Sequence, residues 1–407
     1  MQPEAAGSGD VVCGNDVIHG NDVFDVLRRS RPAEPVLCLD QALLNHRAKA
    51  VVANFGGEIC YDVAVNPHPL VLAALAQAGI RRFSVLRVGD LATLAGLDHA
   101  VTPVLRQPIN SRPNLRIAAE HYGVRAFAVD DPAELVKLRE EVPADGIEVE
   151  IMVCLSTIRS PGEITDGAAD AVEGMVRTAI DFGFRPSIAI HPGISSASDI
   201  AVALAYCHSL ARRCGVALDA VNLGSAELGR DDETIEGLGI AADLHARLLG
   251  LDPARLRLDA SRMTVDGCCS VLAQVLLRKG DAIYLNDGRF GWLRPLDRRL
   301  RRNAAPPRLR RLEGTHSAAS RRFCLFGPTC DSYDAFQTQI VLPADVREGD
   351  WIEFPAMGAD TIAWACAFNG LHPSLFAVIA PPNGLQTGAR ASTRSHLHAR
   401  LAEETGR

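Results

Sequence analysis

The 407-residue sequence lacks several features that would assign it to a specialised class of protein. It contains no run of about 18 apolar residues, which a membrane-spanning helix requires. Its formal net charge is -7, whereas a nucleic-acid-binding domain is typically basic. Its N-terminal segment lacks the basic start and the unbroken apolar core of a secretory signal peptide. We therefore expect a cytoplasmic protein that binds neither membranes nor nucleic acid.

The 11 cysteines also lack a recognisable pattern. Their spacing is neither that of paired zinc ligands nor that of a disulfide framework. Several lie in apolar segments, as Cys154, Cys207 and Cys366 do, which is typical of buried, reduced thiols. The sequence therefore predicts no metal site.

The composition is that of an ordinary globular protein, with 47% hydrophobic and 22% charged residues. The length suits a barrel of roughly 250 residues followed by a second domain of about 100 to 150 residues. We therefore expect two domains, each with its own core.

Short β-branched runs alternate with longer helical patterns between residues 35 and 265, which is typical of parallel βαβ units. The predicted strands are residues 58–65, 82–86, 101–106, 125–130, 148–155, 186–191, 218–224 and 255–259. Predicted helices between them include residues 69–78, 132–141, 197–213 and 234–249. Eight such strands favour a closed (β/α)8 barrel, although the alternation also fits an open, doubly wound sheet.

The pattern changes after residue 265 to short strand-like runs that are separated by turn residues. These runs are residues 282–285, 322–326, 337–342, 350–354 and 375–379. They predict an antiparallel β domain over residues 266–380, with a turn at Asn286-Asp287-Gly288. The arginine-rich residues 294–311 are expected to form a solvated loop. Residues 1–34 are expected to be partly disordered and can join the β domain, and residues 381–407 form a polar tail.

Several motifs in this sequence resemble those of a known enzyme family. The first predicted strand ends in Tyr-Asp-Val-Ala-Val-Asn at residues 61–66. This is similar to the tyrosine-x-valine-lysine-x-asparagine motif of the fold type III pyridoxal phosphate enzymes, the ornithine, lysine, arginine and diaminopimelate decarboxylases. Similar segments follow in the family's order at residues 190–193, 284–288, 327–334, 348–351 and 357–359. The resemblance covers residues 35–380 and is strongest to the ornithine decarboxylase branch.

The resemblance implies an alanine racemase-like (β/α)8 TIM barrel with an antiparallel β domain, and pyridoxal phosphate as the cofactor. In the family, a lysine holds this cofactor as a Schiff base and moves protons. Ala64 stands at the position of that lysine, and its methyl group can do neither. Binding of pyridoxal phosphate is therefore doubtful.

Other family positions around the cofactor also differ. The family's phosphate turn of three glycines is replaced by Gly-Ser-Ala-Glu at residues 224–227, where Glu227 brings negative charge. Asp259 replaces the glutamate that faces the pyridine nitrogen, and Asp360 replaces a phosphate-binding tyrosine. The positions implied in cofactor binding are Ala64, His191, Gly224, Ser225, Asp259, Arg262 and Asp360.

The family's residues for proton delivery and substrate binding are retained. By resemblance, Cys330 delivers a proton, Asp331 pairs with the distal ammonium of a basic amino acid, and His191 stacks on the cofactor ring. In the family, this cysteine and this aspartate complete the barrel of a partner subunit. The sequence therefore predicts a homodimer, or a heterodimer with an intact decarboxylase paralogue.

Three hypotheses of function remain open at this point. The first is a noncatalytic or regulatory decarboxylase homologue that donates its Cys330–Asp331 motif across a dimer interface. The second is an active carbon–carbon lyase that acts on a basic amino acid or a related amine, with noncovalent cofactor or repurposed chemistry. The third is a conventional decarboxylase in which Ala64 is an engineered or erroneous residue.

Overall fold

The computed structural model describes residues 17–155, 166–226, 232–301 and 305–380. The chain forms two compact units. The barrel unit comprises residues 42–269 and 356–365. The sheet unit comprises residues 17–41, 270–355 and 366–380, apart from those outside the described ranges. The predicted tail at residues 381–407, Glu227 and residues 1–16 lie outside the described residues.

The strands and helices are numbered here in chain order. The strands are β1 (Ile18–Gly20), β2 (Val36–Asp40), β3 (Glu58–Asp62), β4 (Arg82–Val85), β5 (Thr102–Leu105), β6 (Ala126–Val129), β7 (Glu148–Cys154), β8 (Arg185–His191), β9 (Val221–Ser225), β10 (Leu256–Asp259), β11 (Cys269–Lys279), β12 (Ala282–Leu285), β13 (Arg308–Arg310), β14 (Ser320–Phe326), β15 (Ile340–Pro343), β16 (Trp351–Pro355) and β17 (Leu375–Ile379). The α-helices are α1 (Val23–Ser30), α2 (Gln41–Asn54), α3 (Pro69–Gln77), α4 (Asp90–Ala95), α5 (Arg112–Arg116), α6 (Pro132–Glu141), α7 (Asp166–Asp181), α8 (Ala197–Cys214), α9 (Asp232–Leu248), α10 (Ser261–Val265), α11 (Leu296–Arg301) and α12 (Thr361–Trp364).

Strands β3 to β10 form a closed barrel of parallel strands. The barrel closes because β10 pairs with both β9 and β3, so that Asp259 lies opposite Ser225 on one side and Cys60 on the other. The predicted (β/α)8 barrel and its strand positions are therefore confirmed, and the open, doubly wound alternative is wrong.

Local capping residues begin the helices of the barrel where the sequence predicts them. The side chain of Asp131 accepts a hydrogen bond from the Ala133 amide at the start of α6. Helix α8 is capped by Ser196, whose hydroxyl accepts from the Asp199 amide at 3.2 Å. The helix ends at Gly215, which has φ +67° and lies in the left-handed region.

The interior of the barrel contains an ion-pair network. Arg82 of β4 lies 2.8 Å from Glu150 and 3.1 Å from Glu148, both on β7. Arg257 of β10 pairs with Glu148 and, at 2.9 Å, with Glu58. Strand β7 is a neighbour of neither β4 nor β10, so Arg82 and Arg257 reach its glutamates across the inside of the barrel. Such buried charges are tolerated only because each is paired.

The sheet unit is mixed, and the prediction of an antiparallel domain is wrong in this respect. The strand pairs β1–β17, β17–β2 and β12–β14 are parallel, whereas β11 pairs antiparallel with β12 and β16. Strand β11 was not among the predicted strands. The hairpin between β11 and β12 turns at Gly280-Asp281. At the predicted turn Asn286-Asp287-Gly288, the chain bends at Asn286, directly after β12. Gly280 has φ +61°, a conformation that glycine adopts without strain.

The arginine-rich residues 294–311 are only in part the predicted solvated loop. They contain α11 and β13, and residues 302–304 lie outside the described residues. Arg311, just after β13, is buried and makes a bidentate pair with Asp350, with nitrogen–oxygen distances of 2.9 and 2.8 Å. The arginine-rich composition alone predicts exposed side chains. Arg311 is buried because it pairs with Asp350, which is 39 residues away in sequence.

The boundaries of the two units differ from those expected at residues 35 and 265. Val36 and Cys38 of β2 pack with Val26 and Leu27 of α1 in the core of the sheet unit. Residues 17–41 therefore belong to that unit, and residues 356–365 return to the barrel unit. Among the described residues, no helix is long and apolar enough to span a membrane.

Candidate functional site

Polar side chains from neighbouring strands lie together at the carboxyl end of the barrel. Strand register places Ser225 beside Asp259, and Ser84 beside Asp62. Register neighbours on parallel strands share one face of the sheet, so Ser84 faces the same interior as Asp62. Arg106 follows β5 and completes this group, which we call the mouth site.

Asp259 is held in place by three donors. Arg106 donates to it at 2.9 Å, and the Ser261 amide donates at 3.0 Å. The Ser261 hydroxyl also donates to Asp259 and accepts from the Asp62 amide at 2.7 Å. Asp259 is only 4% exposed, so its charge is neutralised by Arg106 rather than by water.

Asp62 is the least compensated carboxylate of the mouth site. One of its oxygens accepts from the Ala64 amide at 3.0 Å, and its carboxylate forms no ion pair among the described residues. The pKa of Asp62 is raised to about 6, and burial is the largest cause. The negative charge of Asp259 also raises this pKa, and its effect is larger than the opposite effect of Arg106. Asp62 therefore gains a proton more readily than an exposed aspartate.

Arg262 and Asp360 form a bidentate ion pair beside the mouth site. The guanidinium donates to the two carboxylate oxygens at 3.2 and 2.9 Å. The Asp360 amide donates to Val65 at 2.8 Å, which fixes residue 360 against the end of β3 even though its φ is +64°. In the fold, Asp360 therefore neutralises the guanidinium of Arg262.

His191 and the two glycines near it shape the loops after β8 and β9. Gly193 and Gly224 form a backbone bridge, and a Cβ on Gly193 would lie 2.1 Å from the Ser225 carbonyl oxygen. His191 is at the end of β8, where partial burial and the charge of Arg106 lower its pKa. Its imidazole is therefore neutral at physiological pH.

Two buried hydroxyls of the mouth site are not hydrogen-bonded to any described residue. The Oγ atoms of Ser84 and Ser225 are shielded from solvent, and these residues are 5% and 9% exposed. A buried hydroxyl without a partner costs about 1–3 kcal/mol, so each needs a partner.

Cys330 and Asp331 lie in the sheet unit on a loop that is organised by a buried aspartate. Asp334 accepts from the Thr329 amide and hydroxyl, at 3.1 and 2.7 Å, and from the Arg289 amide at 2.7 Å. Cys330 is exposed, whereas Asp331 is half-buried and accepts from a loop amide. The structure therefore holds the loop in one conformation and leaves the thiol accessible.

A second buried aspartate, Asp287, makes the stability of this region dependent on pH. It is 3% exposed, and burial raises its pKa to about 7, against the effect of backbone donors such as the Leu293 amide at 2.9 Å. A raised carboxyl pKa contributes stability that is present below the unfolded value and is lost as pH rises through about 7.

We expect the free energy of unfolding to fall by roughly 2–3 kcal/mol between about pH 5 and pH 8 because of this group. Urea denaturation at both pH values measures this change, and Asp287→Asn should reduce it. The exposed Asp281→Asn serves as the control. An equal pH dependence in Asp287→Asn and the wild type would contradict this assignment.

The family is decided by a match that spans both units. The family model described as pyridoxal-dependent decarboxylase, C-terminal sheet domain, matches residues 59–358. The protein belongs to this decarboxylase family.

Related proteins agree with this assignment. Ornithine decarboxylase of Panagrellus redivivus is 25% identical over 350 residues, covering 76% of this chain and 77% of that protein. Ornithine decarboxylase of Schizosaccharomyces pombe is 27% identical over 349 residues, covering 77% and 76%. The crystal structure of the lysine/ornithine decarboxylase of Vibrio vulnificus, complexed with putrescine, superposes with a TM-score of 0.71 at 21% identity and covers 87% of this chain and 96% of that one. The structural likeness supports the fold.

Sequence reasoning about this decarboxylase homologue identified some residues of the mouth site and missed others. Asp259 and Ser225 of the mouth site were predicted, as were Arg262, Asp360 and His191 outside it, and all five belong to the barrel unit. Asp62 and Arg106 were missed. Both occur at the ends of predicted strands, which is the signal that could have found them.

Proposed function

We propose that this protein is a noncatalytic decarboxylase homologue that does not hold pyridoxal phosphate covalently and acts as a partner of an intact decarboxylase. The observation that carries the proposal is the bidentate pair of Arg262 with Asp360. An anion at the end of this barrel would need free cations and hydrogen-bond donors, but the guanidinium of Arg262 is already paired with Asp360.

The lysines of the chain support the same proposal. The sequence has lysine only at positions 49, 137 and 279. Lys49 lies within α2, and Lys137 is engaged by Glu134 and by the Asn110 carbonyl. Lys279 belongs to the sheet unit, over the ring of Tyr284. Position 64 carries alanine, so the residues present do not fit a covalently held pyridoxal phosphate.

Absorbance tests the proposal that the protein does not hold pyridoxal phosphate covalently. We expect the wild type and Ala64→Lys, each mixed with pyridoxal phosphate, to lack the visible band of a lysine-bound cofactor. The Arg262–Asp360 pair and the buried carboxylate of Asp62 would both remain in the Ala64→Lys variant. Ala95→Lys, at the end of α4, is a control for nonspecific reaction with the aldehyde.

The opposite outcome has a definite meaning. If Ala64→Lys alone gains the band, the remaining residues can hold the cofactor, and the conventional decarboxylase with a substituted lysine becomes the better reading. If the wild type binds the cofactor and releases carbon dioxide from a basic amino acid, the protein is an active lyase. Either result overturns the noncatalytic proposal.

The loop of Cys330 and Asp331 supports the partner role. Its conformation is maintained by the buried Asp334, and its thiol is exposed. Tyr333 in the same loop is 76% exposed, although a large aromatic side chain is more often buried. An exposed aromatic residue beside a preformed loop is typical of an interface anchor.

Complementation tests the partner arm. The protein would be coexpressed with an intact decarboxylase paralogue of the same organism that lacks its own cysteine in the corresponding loop. We expect decarboxylation with the wild type and at least a tenfold loss with Cys330→Ala, because proton delivery typically contributes a factor of about 100 or more. Cys324→Ala, a half-buried cysteine of the sheet unit, is the control. Activity that is equal with Cys330→Ala, or absent with the wild type, would reject the donation of this motif.

A further inference from the structure

We propose that the mouth site binds a primary ammonium group between the carboxylate of Asp62 and the hydroxyls of Ser84 and Ser225. The inference rests on the proposed function, since a site that held pyridoxal phosphate would use the same strand ends. The ligand is a small amine, or the amine end of a larger molecule.

The charges of the mouth site require one cation. Arg106 neutralises Asp259, and Arg262 neutralises Asp360. Asp62 is left without an ion pair among the described residues. The neutral imidazole of His191 adds no charge. Among the described residues of the mouth site and the adjacent Arg262–Asp360 pair, one negative charge therefore has no ion-pair partner, and such a charge in a partly buried position attracts a cation.

The two buried hydroxyls supply the remaining contacts. An ammonium group has three N–H donors and no acceptor, and a serine hydroxyl can accept a hydrogen bond. Ser84 lies opposite Asp62 in the register of β3 and β4, and Ser225 lies opposite Asp259 in that of β9 and β10. The hydroxyls therefore flank the two carboxylates on neighbouring strands, and neither has a partner among the described residues.

The geometry favours an ammonium over other cations. One oxygen of Asp62 is engaged by the Ala64 amide, so a single oxygen remains for a ligand. A guanidinium prefers a carboxylate with both oxygens free, whereas an ammonium acts as a point charge. The described residues contain no group of three or more side chains that could hold a metal ion. Ala64, half-buried beside Asp62, contributes no amine of its own.

Calorimetric titration of the full-length protein with propylamine tests the inference, with propanol as the uncharged probe of similar size. We expect saturable binding of propylamine and none of propanol. Asp62→Asn keeps an oxygen for the Ala64 amide and should weaken binding at least tenfold, which corresponds to about 1.4 kcal/mol. Ser84→Ala should weaken it severalfold. The matched control Asp281→Asn removes the same charge from the sheet unit and should leave the affinity unchanged. Thermal denaturation confirms that each variant is folded.

Proton release gives a second measurement. Because the pKa of Asp62 is raised to about 6, binding of a cation at about pH 5.5 should displace a proton from it, and binding at about pH 7.5 should not. Titrations in buffers of different ionisation enthalpy measure the number of protons released. Asp62→Asn should abolish this release.

The failures of the two proposals can be told apart. No propylamine binding, equal binding of propanol, or equal affinity in Asp62→Asn overturns the ammonium site, whatever the absorbance test finds. A lysine-bound cofactor band in the absorbance test overturns the noncatalytic proposal, and the ammonium site with it.

Discussion

Replacing Arg82 with methionine is expected to lower the free energy of unfolding by about 3–5 kcal/mol, which is typical when one partner of a buried ion pair is removed. Arg82 is 4% exposed and lies between Glu148 and Glu150, which are themselves buried. Methionine preserves much of the side-chain volume but leaves both carboxylates with Arg257 as their shared cation. The loss is therefore electrostatic rather than a loss of packing.

The same network should make the barrel sensitive to acid. Burial alone would raise the pKa of Glu148, but Arg82 and Arg257 hold it below its ordinary value. A depressed carboxyl pKa contributes stability that is present above the unfolded value, near 4.5, and is lost as pH falls through the lower folded value. In Arg82→Met, this part of the acid sensitivity should be smaller.

Urea denaturation measures the effect of Arg82→Met, and Arg185→Met is the matched control. Arg185 begins the neighbouring strand β8, but its side chain is 55% exposed and pairs with Asp219 at 3.2 Å. An exposed pair contributes about 0–1 kcal/mol, so the control should be nearly as stable as the wild type. The double variant Arg82→Met with Glu150→Gln should recover part of the loss. Equal stabilities of Arg82→Met and Arg185→Met would show that the buried network contributes nothing.

Gly193→Ala is expected to destabilise the barrel by about 3 kcal/mol or more, since steric overpacking and backbone strain add. Gly193 has φ +129°, a conformation that residues with a Cβ rarely adopt. An added Cβ would lie 2.1 Å from the Ser225 carbonyl oxygen and 2.4 Å from the Ser225 nitrogen. These atoms belong to the backbone of the last residue of β9, so the end of that strand must move to make room.

Gly215→Ala separates strain from collision. Gly215 also has a positive φ, +67°, but a Cβ there would meet no atom within 4 Å. The control should therefore lose only the cost of the left-handed conformation, about 1–2 kcal/mol. Thermal denaturation compares the two variants, and propylamine titration should show weaker binding in Gly193→Ala because Ser225 is displaced. If Gly193→Ala and Gly215→Ala lose the same stability, the close approach of residue 193 to the Ser225 backbone does not exclude a Cβ.

The barrel unit and the loop of Cys330 and Asp331 differ in how closely they resemble the family. The resemblance to the family implies that Ala64, Ser225 and Asp360 of the barrel unit depart from the family pattern, whereas Cys330 and Asp331 of the sheet unit match it. The proposed division, with an ammonium site in the barrel and a donated loop on the sheet unit, gives each half a separate chemical role.

The sequence by itself determined the positions of the eight barrel strands, the resemblance to the family and the alanine at position 64, whereas the pairing of β10 with β3 decided between a closed barrel and an open sheet. These features depend on local periodicity and on short motifs, which contiguous residues encode. The arginine-rich segment is an exception, because the local sequence predicts that Arg311 is exposed. Its burial depends on the ion pair with Asp350, which is remote in sequence.

Only the tertiary structure decided which charges are paired in the mouth site. Arg262 meets Asp360 across 98 residues of sequence, and Arg106 meets Asp259 across 153. These contacts leave Asp62 as the carboxylate of the mouth site that forms no ion pair with any described residue. The physical reason is that compensation of a buried charge depends on distance in space, and barrel closure sets those distances between strands that are remote in sequence.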